Sequence, residues 1–518
     1  QKKKIFIYNP HLGYHHVHFM TTIANALDKA GHEVTMLDSL IYNDIKPLPY
    51  RRKTIRNFTV RQNSVTKKIA DDGEKKDDGL MSVWTDLSIE KKVRATFSFY
   101  RSVTGFSEMV SSQCEDVLHS DEFKEIHGSR TYDLAITEAF DFCGVGLMSV
   151  MDVKKTILAS SVPLHEYIGE KLGLPKTFDI VPTKFSMSTA YEHRKDFNEY
   201  ERSGIIKNIM ESSLIGENMF GYLEMKEAVI FQRKYPNFPG FEKLLRKSHS
   251  LMENVHTLMD LSKPTLNAII PIGGITQYAT EKEQSSPEKI VKVEEIKKII
   301  SNAKEKEMKV VLVSFGTVTK TATMKKEIIE NLLEALRDVE KTEFIWKAER
   351  EHLRKRKIKI PSNVHVREWL PQNELLANGS IDLFVSHMGI GSMTEAAYHG
   401  VPMIAIPIFV DQHYNYVCAK RLQIANFVDK YTLGSTSGEL RVAIQNTLSN
   451  KTMKDHSIQL AANLKKFGNQ TTRMLDHINF ILSLPDDSES IAFLNHHHGL
   501  NLMLGIRSLL HLVPYYAV

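Results

Sequence analysis

Between Trp369 and Asn415 the sequence gathers residue types that can hold a charged, hydroxyl-rich ligand. His387, Gly389, Gly391 and Ser392 stand close together in SHMGIGS. Glycines let backbone N–H groups approach an anion, while an imidazole and a hydroxyl add donors. Glu395, one helical turn on, suits vicinal hydroxyls such as those of a ribose. Asp411 and Gln412 set a carboxylate beside an amide, a pair suited to sugar hydroxyls. Trp369 and Gln372, in WLPQ, place an aromatic plane upstream on which a base can stack. The chemistry implied is a phosphate or diphosphate cradle with a base on one side and a sugar on the other.

The elements that must position these groups are readable. Ile381 to Ser386 has the length and apolarity of a buried strand, Met388 to Ser392 is a glycine-bearing turn, Met393 to His399 is helical and stops at Gly400, and Val401 to Pro407 is a second strand. A βαβ unit puts its first turn at the carboxyl edge of a parallel sheet, where ligands of such sheets bind. A helix amino terminus there presents N–H groups and a positive dipole end to an anion. Upstream, VVLVSF is another strand, and Ser314, Gly316 and Thr317 follow at its edge. Plainer readings exist for single residues: Ser392 and Glu395 also fit a capping box, and a lone histidine or tryptophan is commonly structural. Their joint spacing favours the ligand.

The amino-terminal half holds a second candidate. Ile5 to Tyr8 and Glu33 to Leu37 read as strands around a helix from Val17 to Ala30, without the G-x-G-x-x-G of a dinucleotide fold. The intervening turn, HLGYHHVHF, sets His16 at the helix entrance, where the dipole opposes protonation and keeps the imidazole available as a base. His15 and His18 flank it, but no cysteine or carboxylate cluster accompanies them to suggest zinc. A histidine base needs a carboxylate to orient it. The strand YDLAIT delivers two, Glu138 and Asp141, and both also fit as ordinary strand-end acids.

WLPQ, SHMGIGSMTE, HGVPMIAIP and DQHYN, in this order, resemble the UDP-glycosyltransferase signature, with most similarity to the animal UDP-glucuronosyltransferases. The resemblance implies an α/β GT-B fold, two Rossmann-like parallel-sheet lobes facing across a cleft. It implies that Trp369 stacks on uracil, His387 contacts the diphosphate, Glu395 holds ribose, Asp411 and Gln412 hold the sugar, and the turn at Ser314, Gly316 and Thr317 flanks the diphosphate. Counted from Tyr14 and Gly31-His32, the catalytic histidine of the family matches His16, with Glu138 where the family usually has aspartate. Met388 replaces a usual glycine and Gly391 a usual asparagine. The activity implied is inverting transfer from UDP-glucuronate or UDP-glucose, as co-substrate, to a hydroxyl of a small lipophilic acceptor, with no further cofactor and no metal. No basic residue is assigned to the carboxylate that glucuronate would carry. A catalytically weak binding protein for small apolar molecules is the alternative from another class. A nicotinamide oxidoreductase lacks its glycine fingerprint and acid.

At 518 residues the chain has room for two substantial cores. The expected division is an acceptor lobe over 1–279, a linker over 280–289 (TEKEQSSPEK), a UDP-sugar lobe over 290–484 and a tail over 485–518. The final helix before Pro485 is expected to cross back onto the first lobe. A net charge of +5, from 67 basic and 62 acidic residues, gives no case for nucleic acid. Arg51 to Gly79 reads as a polar surface excursion. Three cysteines exclude a disulfide framework, and nothing in the sequence argues for a single bridge. The segment 499–518 is apolar enough to suggest a membrane segment, yet Arg507 near its middle costs roughly 2.5–3.5 kcal/mol on insertion scales, and spanning, interfacial and soluble readings stay open. Four sequons, at Asn57, Asn378, Asn450 and Asn469, together with the family's habit, place the expected location at the lumenal face of the endoplasmic reticulum membrane. The family also implies a glycoprotein with a role in detoxification, and self-association as a homo-oligomer is left open.

Overall fold

The computed structural model describes residues 2–42, 48, 51–62, 89–129, 131–175, 182–184, 216–278, 287–317, 319, 321–408 and 410–486. The charged run after residue 62, part of the acceptor half, residues 280–286 of the expected linker and nearly all of the tail lie outside the described residues. Among the described residues no helix is long and apolar enough to cross a membrane.

Two all-parallel sheets organise the chain. The first has seven strands, β1 (Lys4–Pro10), β2 (Glu33–Ser39), β3 (Arg56–Val60), β4 (Leu134–Glu138), β5 (Thr156–Ser160), β6 (Ser250–Glu253) and β7 (Ile269–Pro271), in the order β3-β2-β1-β4-β5-β6-β7. The second has six, β8 (Lys309–Ser314), β9 (Thr342–Lys347), β10 (Val364–Arg367), β11 (Leu383–Ser386), β12 (Met403–Ala405) and β13 (Ala425–Phe427), in the order β10-β9-β8-β11-β12-β13. Strands such as Ile5–Tyr8 and Val310–Val313 are buried along their length, as strands covered by helices on both faces must be. Each sheet reverses its strand order once, between β1 and β4 and between β8 and β11. Open α/β sheets bind ligands at such switch points. His16 and Glu138 follow the first; Ser314, Gly316 and His387 follow the second.

Several expectations are corrected. Residues Arg56–Val60 are not loop but the edge strand β3, paired with β2. Arg51, which precedes it, forks onto the fully buried Asp38 at 2.5 and 2.9 Å, so this part of the polar stretch belongs to the lobe. β6 is not among the strands expected from sequence. Its four residues are too few for periodicity to register. The helix Pro287–Glu305 begins within the expected linker, since proline is well placed in a first helical turn. A disulfide joins Cys114 to Cys143, tying helix Ile89–His119 to helix Phe142–Val150. Neither cysteine lies in a sequence context that marks a pair. Cys418 is free and buried.

The final helix, Gln470–Ser483, packs against the first lobe. Met474, Ile478, Ile481 and Leu482 share a core with Ile5, Ile7, Ile23 and Leu27. Their spacing is one face of a helix, and that face completes one side of the amino-terminal core.

Candidate active site between the two lobes

β1 ends at Pro10, and Gly13, in extended backbone, starts the helix Tyr14–Lys29. That helix begins three residues earlier than its apolar spacing indicates, so His16 sits in its first turn rather than ahead of it. Its Nδ1 lies 3.1 Å from Oε2 of the fully buried Glu138, at the end of β4. Ser161, just past β5, sets its hydroxyl 2.5 Å from the same nitrogen and donates its backbone N–H to Glu138 Oε1 at 3.2 Å. With its Nδ1 proton given to the carboxylate, the imidazole keeps Nε2 free to accept one. Ser161 was not evident from sequence. Its signal is position alone, one residue beyond a buried strand at the carboxyl edge.

Asp141 is committed elsewhere. Its Oδ1 accepts the Cys143 N–H at 2.7 Å as a helix cap, and its Oδ2 accepts the Tyr8 hydroxyl at 3.3 Å. Burial raises its carboxyl to about 7, with the charge of nearby Glu138 adding to the effect. Glu227, also fully buried, is raised well above the usual carboxylate range by burial and by Asp141. Each of the two acids is therefore pushed toward its protonated form.

In the second lobe the strand β11 runs into His387, Met388 and Gly389, and the helix Ile390–Tyr398 follows with Gly389 as its cap residue. Gly391 and Ser392 thus lie inside the first turn. No capping box forms: Ser392 is not the cap, and the Glu395 carboxylate instead accepts from Gln372 Nε2 at 2.6 Å. Gln372 also reaches the Ser392 hydroxyl at 3.1 Å, which joins WLPQ to the helix. The His387 ring fits between two glycines. A Cβ on Gly316 (φ +84°) or on Gly389 would come 2.6 Å from its Nε2. Burial, and then the Lys347 charge, lower the His387 imidazole to about 4, so it is neutral. Lys347, at the end of β9, donates to the Gly316 carbonyl at 2.9 Å. Sequence reading missed it, although a lysine closing the apolar strand FIW at its carboxyl edge is a usable signal.

Ser314 is buried and accepts the Gly316 N–H at 3.4 Å, whereas Thr317 is exposed. Trp369 is half-buried just after β10. Glu395 is raised to about 7 by burial. Asp411 accepts from Asn415 Nδ2 at 2.7 Å and is raised to about 6, burial being the main cause. Gln412 Oε1 accepts the Ile408 N–H at 2.7 Å, fixing the turn that presents both. Two residues there hold left-handed backbone, Met388 at φ +66° and Val410 at φ +60°. Met388 explains why glycine is usual at its position. It is held by its N–H to the Ser386 hydroxyl (3.0 Å) and by Asn415 Nδ2 on its carbonyl (2.9 Å).

The two lobes meet at this point. The Asp411 carboxyl lies within electrostatic reach of His16, whose ring centroid is 4.2 Å from that of His15. Farther out, the Tyr414 hydroxyl of the second lobe donates to Asp260 of the first at 2.6 Å.

Residues 7–482 match the family model described as UDP-glucoronosyl and UDP-glucosyl transferase. The chain belongs to that family. As a UDP-glycosyltransferase it is 26% identical over 464 residues to the Caenorhabditis elegans protein named "Putative UDP-glucuronosyltransferase ugt-56", covering 89% of this chain and 81% of that one. It is also 26% identical over 412 residues to human UDP-glucuronosyltransferase 3A1, covering 78% of this chain and 71% of the human one. Among solved structures it resembles the glycosyltransferase of kitacinnamycin (TM-score 0.58, 16% identity, 94% of this chain and 100% of that one). It also resembles the glycosyltransferase VinC in complex with dTDP (TM-score 0.54, 13% identity, 92% and 99%). Their fold is GT-B, and so is that of this glycosyltransferase.

Proposed function

We propose that this UDP-glycosyltransferase transfers a sugar, with UDP-glucuronate the first choice of donor and UDP-glucose the alternative, to a hydroxyl of a small lipophilic acceptor held by the first lobe. His16 Nε2 takes the acceptor proton, and the freed oxygen bonds to the anomeric carbon from the face opposite UDP. The bond from that carbon to the diphosphate oxygen breaks, inverting the centre, and UDP leaves with the electron pair. Glu138 holds the ring and stabilises the imidazolium. The helix tip at Gly389 to Ser392, with His387, meets the charge on UDP. Trp369, Gln372 and Glu395 take uridine, and Asp411 and Gln412 take sugar hydroxyls. The observation that carries this reading is the buried contact of His16 Nδ1 with Glu138 Oε2 at 3.1 Å, within electrostatic reach of Asp411 of the other lobe. The names of the nematode and human relatives support glucuronate. The disulfide, with exposed asparagines at all four sequons, supports a location in the secretory pathway.

The test is mass spectrometry of products from one phenol offered both UDP-sugars, with wild type and His16→Ala. A glucuronide from wild type and a loss of at least about 100-fold in the variant are expected. Full turnover by His16→Ala refutes the base, and a glucoside alone refutes the donor.

A further inference from the structure

Lys347 brings a cation into the second-lobe cradle without a counter-ion. It stands half-buried at the end of β9, one step past the Val313–Trp346 pair and beside β8, the strand that borders the switch point of the sheet. Its hydrogen bond is to a neutral acceptor, the Gly316 carbonyl, and among the described residues it makes no ion pair. A partly buried ammonium is costly unless an anion compensates it. The contrast within this chain is direct. Lys263, also half-buried, pairs with Asp260 at 2.6 Å and Glu253 at 3.4 Å, and those charges raise its proton affinity. Burial instead lowers that of Lys347, and Glu349 and Glu395 offset this only from a distance.

We propose that Lys347 is the counter-cation of the donor's diphosphate, and that it does not read a sugar carboxylate. This rests on the donor reading given above. The ammonium is tethered to Gly316, the residue packed on His387, and its field reaches His387 and Glu395. Those residues follow β8 and β11. The sugar-side pair Asp411 and Gln412 follows β12, three strands from β9 in the sheet order, with Asp411 within electrostatic reach of His16. An ammonium has three donors. One holds the Gly316 carbonyl and orients the side chain, leaving two for phosphate oxygens.

Calorimetry with UDP, UDP-glucose and UDP-glucuronate, and ligand-observed NMR with uridine, test this on wild type, Lys347→Met and Lys347→Arg. In Lys347→Met all three diphosphates weaken by a common factor of about 10 to 100, uridine is unchanged, and Lys347→Arg recovers most of the loss. Undiminished UDP binding by Lys347→Met overturns the inference. An equal loss for uridine also overturns it, making the lysine a brace for the turn, and so does a loss confined to UDP-glucuronate. If wild type itself fails to bind UDP, the donor reading falls and this inference with it. Wild-type binding that survives in Lys347→Met sinks the inference alone.

Discussion

Replacing Glu138 by glutamine changes one atom and removes one charge, and its effect can be worked out from the contacts. In the native chain Glu138 Oε1 accepts the Ser161 N–H and Oε2 faces His16 Nδ1. A carboxylate accepts at both oxygens; an amide accepts at one and donates at the other. If the amide oxygen stays on the Ser161 N–H, its NH2 points at Nδ1. The imidazole must then carry its proton on Nε2, where it cannot receive the acceptor's. If the amide turns round, its NH2 opposes the Ser161 N–H, leaving buried donors unmatched at about 1–3 kcal/mol. Either way the imidazolium that forms during reaction loses its counter-charge. Loss of general-base catalysis is worth about 100- to 10,000-fold, or about 3–5 kcal/mol of barrier. The expected outcome for Glu138→Gln is that drop in kcat with a phenol acceptor, while KM for the UDP-sugar stays unchanged, since Glu138 lies on the first lobe behind His16. Glu138→Asp keeps the charge, widens the gap and loses about tenfold, an intermediate result. A Glu138→Gln enzyme that is folded and within about threefold of wild-type kcat would refute the reasoning.

The acid pair makes stability depend on pH. Asp141 keeps its proton to about 7 in the fold, against 3.8 ordinarily, so the unfolded chain ionises first and stability falls as pH rises between those values. Ionising it in place costs on the order of 4 kcal/mol. Glu227→Gln removes one of the two raised acids and should flatten the fall and raise the melting temperature at pH 7.5, whereas parallel melting curves of wild type and variant from pH 5 to 8 would count against a protonated Glu227. Met388→Gly relieves left-handed strain of roughly 1–2 kcal/mol but empties a fully buried site worth about 2–5 kcal/mol. The net effect is a lower melting temperature, and a rise would show that strain dominates. Gly391 has no atom within 4 Å of a built Cβ. Gly391→Asn therefore fits, adds a side-chain donor at the helix tip and lowers KM for the UDP-sugar by about 2- to 10-fold, with an unchanged or higher KM as the contrary result.

Strands such as β1, β8 and β11 were legible because continuous apolar runs bounded by glycine have few alternative readings. The motif residues lie where βαβ logic puts them, at the two switch points. Helix starts were less legible: Tyr14–Lys29 and Ile390–Tyr398 both begin three residues early, since glycine caps leave no side-chain signal and polar first turns interrupt the apolar period. The choice between Glu138 and Asp141 could not be made from spacing. It depends on which carboxylate meets His16 on the helix after β1 and which one caps the next helix. Ser161, Lys347 and the Cys114–Cys143 pair depend wholly on long-range approach. Short strands such as β3, within a polar stretch, and the four-residue β6 are too brief for their alternation to register.

The helix Gln470–Ser483, docked on the first lobe, sets a condition on biosynthesis. Most domains close as soon as they leave the ribosome, but this amino-terminal lobe waits for a piece encoded roughly 200 residues after its last strand, β7. At about 5–20 residues per second that delay is roughly 10–40 s. Throughout it the faces of Ile5, Ile23 and Leu27 that meet Met474 and Ile478 stay open to chaperones and to neighbouring nascent chains. A premature stop before residue 470 would therefore damage the half of the enzyme made first, and yield from truncated messages should fall accordingly.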